Sequence, residues 1–184
     1  MSKTIVVYHS GYGHTQRVAE HVAAGADAEL LPIDADGNLP EGGWDKLNAA
    51  DAIIFGTPTY MGGPSWQFKK FADASSKAWF TRAWQDKVFG AFTNSASPVG
   101  DKGATLAQLQ TLASQHGGIW VSLGLLPANG KAATHADVNH LGGSVGLLVR
   151  SPADAAVEEI PQGDLDTAKA YGQRVASIAA RLRS

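Results

Sequence analysis

Three short segments of this chain concentrate the residue types that bind an anionic, flat ligand. The first reads His9-Ser10-Gly11-Tyr12-Gly13-His14-Thr15. Its two glycines let the backbone turn tightly and aim successive amides inward, while Ser10 and Thr15 add hydroxyl donors. A loop of this kind that feeds a helix amino terminus forms an anion site without any lysine. The second runs from Gly56 through Thr57, Pro58, Thr59, Tyr60, Met61, Gly62 and Gly63 to Pro64. It has the freedom to wrap a flat ring, with Tyr60 able to stack and exposed amides able to meet ring oxygens and nitrogens. The third, Thr93-Asn94-Ser95-Ala96-Ser97-Pro98, again offers small polar residues.

Other phosphate-binding patterns fit less well. No lysine follows the last glycine of the first loop, so a Walker loop fails. The dinucleotide pattern G-x-G-x-x-G keeps Gly11 and Gly13 but has Gln16 at its third glycine. Asp34 does stand about where a ribose-binding acid would lie. A bland reading of the first loop is a tight turn between strand and helix. A phosphate monoester fits a loop that offers hydroxyls at both ends.

These loops need a frame, and the rest of the chain supplies one. Residues 4–8 (TIVVY) are apolar throughout, as in a strand covered on both faces. Residues 14–26 have helical spacing, and 29–33 form a second strand candidate before a polar loop that reaches Gly43. Strands are expected at 52–56 (AIIFG), 88–93 (VFGAFT) and 119–123, with helices over 66–74 and 105–115. An irregular stretch, 124–143, precedes an apolar run at 144–149, which either extends the pairing of the fifth strand or forms an edge strand. The last helix is expected to open on Asp164 as its N-cap and to bury Leu165, Ala168, Tyr171, Val175, Ile178 and Leu182. Alternating strands and helices predict one α/β domain over 1–184, a doubly wound five-stranded parallel sheet with helices on both faces. Ligands of such sheets bind at the carboxyl ends of the strands, where all three loops fall.

Bulk composition agrees. A chain of 184 residues with 44% hydrophobic and 17% charged residues is globular. Its formal charge of −2 offers no basic face for nucleic acid. Nor is it acidic enough for a small carrier that docks by charge onto basic partners. The absence of cysteine excludes disulfides, thiolate metal sites and cysteine nucleophiles. No stretch approaches the roughly 18–20 apolar residues of a membrane span, and the expected location is the cytoplasm.

The S-x-Y-G-H-T pattern after the first strand and G-T-P-T after the third resemble the flavodoxin-like quinone reductases of the WrbA family. The similarity extends through Phe71-Ala72-Asp73 and the Trp79 segment, Leu112-Ala113 with His116-Gly117, and Ala170-Tyr171-Gly172. That resemblance implies FMN as cofactor, its phosphate held by Ser10, Gly11, Tyr12, Gly13, His14 and Thr15. Its isoalloxazine would be bordered by Pro58, Thr59, Tyr60, Met61, Gly62, Asn94, Ser95 and Ala96. His116 matches a family histidine beside the flavin, with a catalytic role. Tyr12 and Trp79 would contact substrate. The implied reaction passes hydride from NAD(P)H through FMN to a quinone, in a homo-oligomer, a tetramer, whose neighbouring chains help wall each flavin. An electron carrier of the flavodoxin type is the alternative. Tyr60 departs from the family's usual arginine, the third loop is less glycine-rich, and the segment between Val149 and Pro161 is longer.

Several residues have structural readings too. His116 would cap the helix that ends at Gln115, since His-Gly-Gly is a common stop signal. Trp66, Trp79 and Trp84 suit core or subunit packing. His135, Asp137 and His140 invite a metal reading, but no further ligand lies nearby and no metal is expected. Asp154, Glu158 and Glu159 form a solvated face.

Overall fold

The computed structural model describes residues 2–183. Its frame is a parallel sheet of β1 (Thr4–His9), β2 (Glu29–Ile33), β3 (Ala52–Tyr60) and β5 (Val88–Ser95), completed by β6 (Ile119–Trp120) and β7 (Leu147–Arg150). The order is β2-β1-β3-β5-β6, with β7 also on β5. β6 pairs with the start of β5, Val88 opposite Ile119, and β7 with its end, Phe92 opposite Leu147 and Ser95 opposite Arg150. The fifth position in the sheet is therefore one strand in two pieces. Both readings open for the apolar run hold: β7 extends the fifth strand's pairing and stands with β6 at the edge of the sheet. The excursion between the pieces is pinned by Asn139, whose Nδ2 donates to the carbonyls of Leu125 and Gly143 at 3.0 and 3.1 Å.

Helices cover both faces because the strands are apolar on both. Val6 and Tyr8 of β1 face α1 (His14–Ala26) and α6 (Gln162–Leu182). Ile5 and Val7 face the opposite layer of α2 (Gly43–Asn48), α3 (Trp66–Ala74), α4 (Ser76–Phe80) and α5 (Lys102–Gln115). In that layer Phe55, Phe68, Phe71, Phe89 and Trp84 make edge-on and tilted contacts, ring centroids 5.3 to 6.3 Å apart. Such pairs add to their area burial. Tyr171 of α6 threads the other layer, its hydroxyl donating to Val121 O at 2.8 Å and accepting from Ala91 N at 3.1 Å.

Local expectations are corrected in five places. β3 continues to Tyr60 because Thr57 and Pro58 pair with Thr93 and Asn94, and it then turns into the short antiparallel β4 (Gly63–Pro64). The turn residues Met61 and Gly62 both take positive φ, 49° and 81°, as a two-residue hairpin requires. Helix α5 begins at Lys102, three residues early. The polar loop after β2 runs into α2, which buries Leu47. Asp164 is not the N-cap of α6: the helix starts at Gln162 after Pro161, and Asp164 turns inward to accept from Arg150 N at 2.9 Å. At the far end Ala179 takes the buried position, while Leu182 is 57% exposed. Among the described residues no helix is long and apolar enough to cross a membrane.

Candidate functional site

The three loops meet at the carboxyl edge of the sheet around a cleft of about 600 Å³. Tyr12, His14 and Thr15 line it from the first loop, Pro58, Thr59 and Tyr60 from the second, and Asn94, Ser95 and Ala96 from the third. Ser10, Gly11 and Gly13 shape the first loop, where Ser10 Oγ accepts from Gly13 N at 3.1 Å. Gly13 takes φ 91°, a turn that opens directly into α1. Met61 and Gly62 lie in an adjoining hollow with Ser95 and Ala96.

The fit to a phosphate-ended flat ligand rests on the donor set. Helix α1 has no side-chain cap and no acidic residue in its first turn, so its first amides are left for a ligand. No Asp or Glu is among the described residues lining the cleft. The Ser10 hydroxyl proton remains free to donate, since that oxygen accepts from Gly13. Tyr60 leans across the first loop so closely that a Cβ on Gly11 would stand 2.7 Å from its Oη. Burial, followed by the neighbouring Tyr12, raises the Tyr60 pKa, which keeps it a neutral donor where the WrbA resemblance implies arginine. FMN fits: its phosphate would meet the first loop and its ring the aromatic wall.

Hydrogen bonds behind the lining fix it. Thr59 Oγ1 donates to Thr105 Oγ1 at 2.8 Å and meets Thr93 Oγ1 at 2.8 Å. With the Thr59 proton so used, Thr93 must be the donor to Thr59. His9, expected to flank the phosphate loop, is buried. Its Nδ1 lies 2.9 Å from the Ser65 Oγ that caps α3, and burial lowers its pKa. His14 Nε2 donates to Ala155 O at 3.0 Å, tying the first loop to the segment after β7.

That segment supplies cleft residues the sequence reading missed: Ser151, Pro152 and Ala153. Ser151 Oγ donates to Asn94 Oδ1 at 2.9 Å. The signal was present. Residues 144–149 read as a strand candidate, and the carboxyl-edge rule applied to that strand points at Ser151.

His116 and Trp79 are not brought to the cleft of their own chain. They share a hollow of about 350 Å³ with Phe80, Arg82 and Gln85. It lies at the amino edge of the sheet, where Asp86 N meets Gly117 O and Val88 opens β5. The eight residues of β5 separate that edge from Ser95 by about 23 Å. His116 is the C-cap of α5 and packs at a tilt against buried Trp84, ring centroids 4.4 Å apart. Its Nε2 lies 2.9 Å from Ser75 Oγ, whose own proton goes to Ala72 O at 2.6 Å. Nε2 therefore carries the hydrogen, and buried Nδ1 has no hydrogen-bond partner. Burial pushes the ring's pKa down to about 4, so His116 is neutral at neutral pH. Within one chain it is a helix cap, and the flavin-side role implied by resemblance would require a neighbouring chain.

His135 and His140 make a tilted ring contact, centroids 4.2 Å apart. No group of three or more metal-ligating side chains occurs among the described residues.

Fold and cleft together define a flavodoxin-like FMN protein. Residues 9–133 match the NADPH-dependent FMN reductase family, and the chain belongs to that family. It is 62% identical to Flavodoxin FldP of Pseudomonas aeruginosa over 184 residues, the whole of both chains. Identity to an NAD(P)H dehydrogenase (quinone) of Geobacter sulfurreducens is 32%, over 97% of this chain and 98% of that one. The structure matches that of a WrbA-like flavodoxin from Agrobacterium tumefaciens with a TM-score of 0.83 at 58% identity, covering 98% and 99% of the two chains.

Proposed function

We propose that the chain is a single FMN-binding domain that catalyses two-electron reduction of a quinone by NADH or NADPH. When bound, FMN supplies the hydride chemistry; the protein supplies position and electrostatics. The observation that carries the reading is the open mouth of the cleft. Tyr12, 81% exposed, and Tyr60 flank it, with Met61 fully exposed beside them. They leave an aromatic, uncharged surface where a second flat ring can stack. Membership of an NADPH-dependent family and similarity to a relative named as a quinone-reducing dehydrogenase support it.

The test is anaerobic stopped-flow mixing of FMN-loaded protein with NADH or NADPH, then with a benzoquinone. The flavin colour is expected to bleach and return, with donor and acceptor alternating. If neither nicotinamide bleaches it, the reductase reading fails. An electron carrier then takes its place, a reading favoured by the name flavodoxin on the 62% identical relative.

The active form is proposed to be a homo-oligomer, a tetramer. Trp79 and Phe80, 50% and 82% exposed at the amino edge, are an aromatic surface of the kind enriched at contacts, and His116 lies in the same hollow. Contact with a neighbouring chain is the one route by which these residues could reach a flavin. Light scattering that reports only monomer, at micromolar FMN-loaded protein, would remove this assembly and the roles of both residues with it.

A further inference from the structure

Lys102 is a buried cation behind the cleft. It is fully buried, although lysine is almost never so unless paired. It is also the first residue of α5, the helix end that disfavours a cation. Its ammonium donates to Ser95 Oγ at 2.8 Å and to Ser97 O at 2.7 Å. Both acceptors belong to the third loop, and Ser95 lines the cleft. The loop is coiled to permit this. Gly100 and Asp101 take φ 51° and 54°, which folds Lys102 back beneath it. A Cβ on Gly100 would stand 2.1 Å from Ser95 Oγ, so the loop closes this tightly only with glycine there.

The ammonium has no carboxylate within salt-bridge distance among the described residues. The charged groups that act on it are Asp164 of α6, attractive, and Arg150 at the end of β7, repulsive. Asp164 already accepts from Arg150 N, feels His140 and His135, and has its pKa raised by burial. Asp101, the chain neighbour, is exposed. A buried cation with this little compensation favours negative charge nearby, and through Ser95 it adjoins the cleft.

We propose that Lys102 is the positioning cation of the FMN site. It clamps the 94–100 loop in the shape that borders the flavin and places positive charge behind that loop, favouring an anionic occupant. The inference rests on FMN occupying the cleft and not on the nicotinamide reaction.

The sign of the pH dependence follows. Burial, the leading cause, lowers the Lys102 pKa to about 8. An anionic ligand favours the protonated form and raises that pKa, so affinity must fall as pH climbs through 8 and above. The fall is about tenfold for each unit by which binding raises the pKa.

The test measures FMN affinity by fluorescence quenching from pH 7 to 9.5 for wild type, Lys102→Met and Ser95→Ala. The first variant keeps the length without charge; the second removes one clamp bond and keeps the charge. Lys102→Met is expected to weaken FMN at least tenfold at pH 7 and to flatten the pH response. Ser95→Ala should lose less and keep the response. A Lys102→Met protein that binds as tightly as wild type, or retains its pH response, overturns the proposal. So does a Ser95→Ala protein that matches Lys102→Met in both. Wild-type protein also serves without substitution: with ε-carbon labelled lysine, one resonance should titrate near pH 8 and move to higher pH with FMN. An unmoved midpoint refutes the charge role even if the variants fail to fold, while wild-type binding in the same titration reports separately on the cofactor.

Discussion

The two edges of the sheet are built from similar residues and do opposite things. At the carboxyl edge Tyr12, Tyr60 and His14 surround a cleft whose hydroxyls and helix amides face outward. At the amino edge Trp84 and His116 are packed together, buried and tied to Asn48 and Ser75. Aromatic and histidine side chains are thus no guide to a ligand site by themselves. What distinguishes the edges is whether donors are left over: the start of α1 has no side-chain cap, whereas at the amino edge the donors of Trp84 and His116 are used within the chain.

The comparison breaks most sharply at Trp84. Replacing this fully buried indole with alanine should cost about 3–5 kcal/mol of stability. Folded protein should still bind FMN with nearly unchanged affinity. Urea unfolding and flavin titration of the same preparation check both halves, and a matching collapse of affinity would mean that the edges are coupled.

His116 gives the next effect. Its folded pKa of about 4 lies below the ordinary histidine value of 6.5. Between those values the unfolded chain binds the extra proton, so stability is full above pH 6.5 and falls as pH drops toward 4. The loss is roughly 3 kcal/mol. His116→Gln should remove most of this acid sensitivity in melting curves taken from pH 7 to 4. A variant as acid-sensitive as wild type would assign the effect to other groups.

At the carboxyl edge, Ser10→Ala combined with Thr15→Val should weaken FMN at least tenfold, since charge-assisted bonds to phosphate are worth about 1.5–3 kcal/mol each. Riboflavin, without phosphate, should be nearly unaffected. Equal losses for the two ligands would move the phosphate away from the first loop. Smaller still, Tyr60→Ala should cost both ligands alike, by about 1 kcal/mol, as expected for lost ring stacking; equilibrium dialysis with each ligand shows whether the losses match.

Much of this site was legible because it is local. Ser10 to Thr15 form one loop, and strand, turn and helix onset follow from adjacent residue types. Tyr60 and Ser95 follow from the rule that parallel strands place their carboxyl ends together. Ser151 was harder to see because β7 is separated from β6 by a long excursion, and only pairing with Phe92 to Ser95 shows that the two pieces share one sheet position. Asp164 looked like a cap because acid precedes an amphipathic run. It turned inward because the backbone amide of Arg150 needed an acceptor.

The amino-acid order by itself determined the alternation of strands and helices, the three loops and hence the class of ligand, since these depend on periodicity and short-range turn chemistry. Tertiary structure decided which distant residues share an edge. His116 and Trp79 lie with each other and away from Ser10, because β5 spans the sheet between them and sequence separation does not encode that distance. Folding also turned Lys102 under the third loop, where two serine oxygens accept from its ammonium and the fold buries a residue type that is ordinarily at the surface.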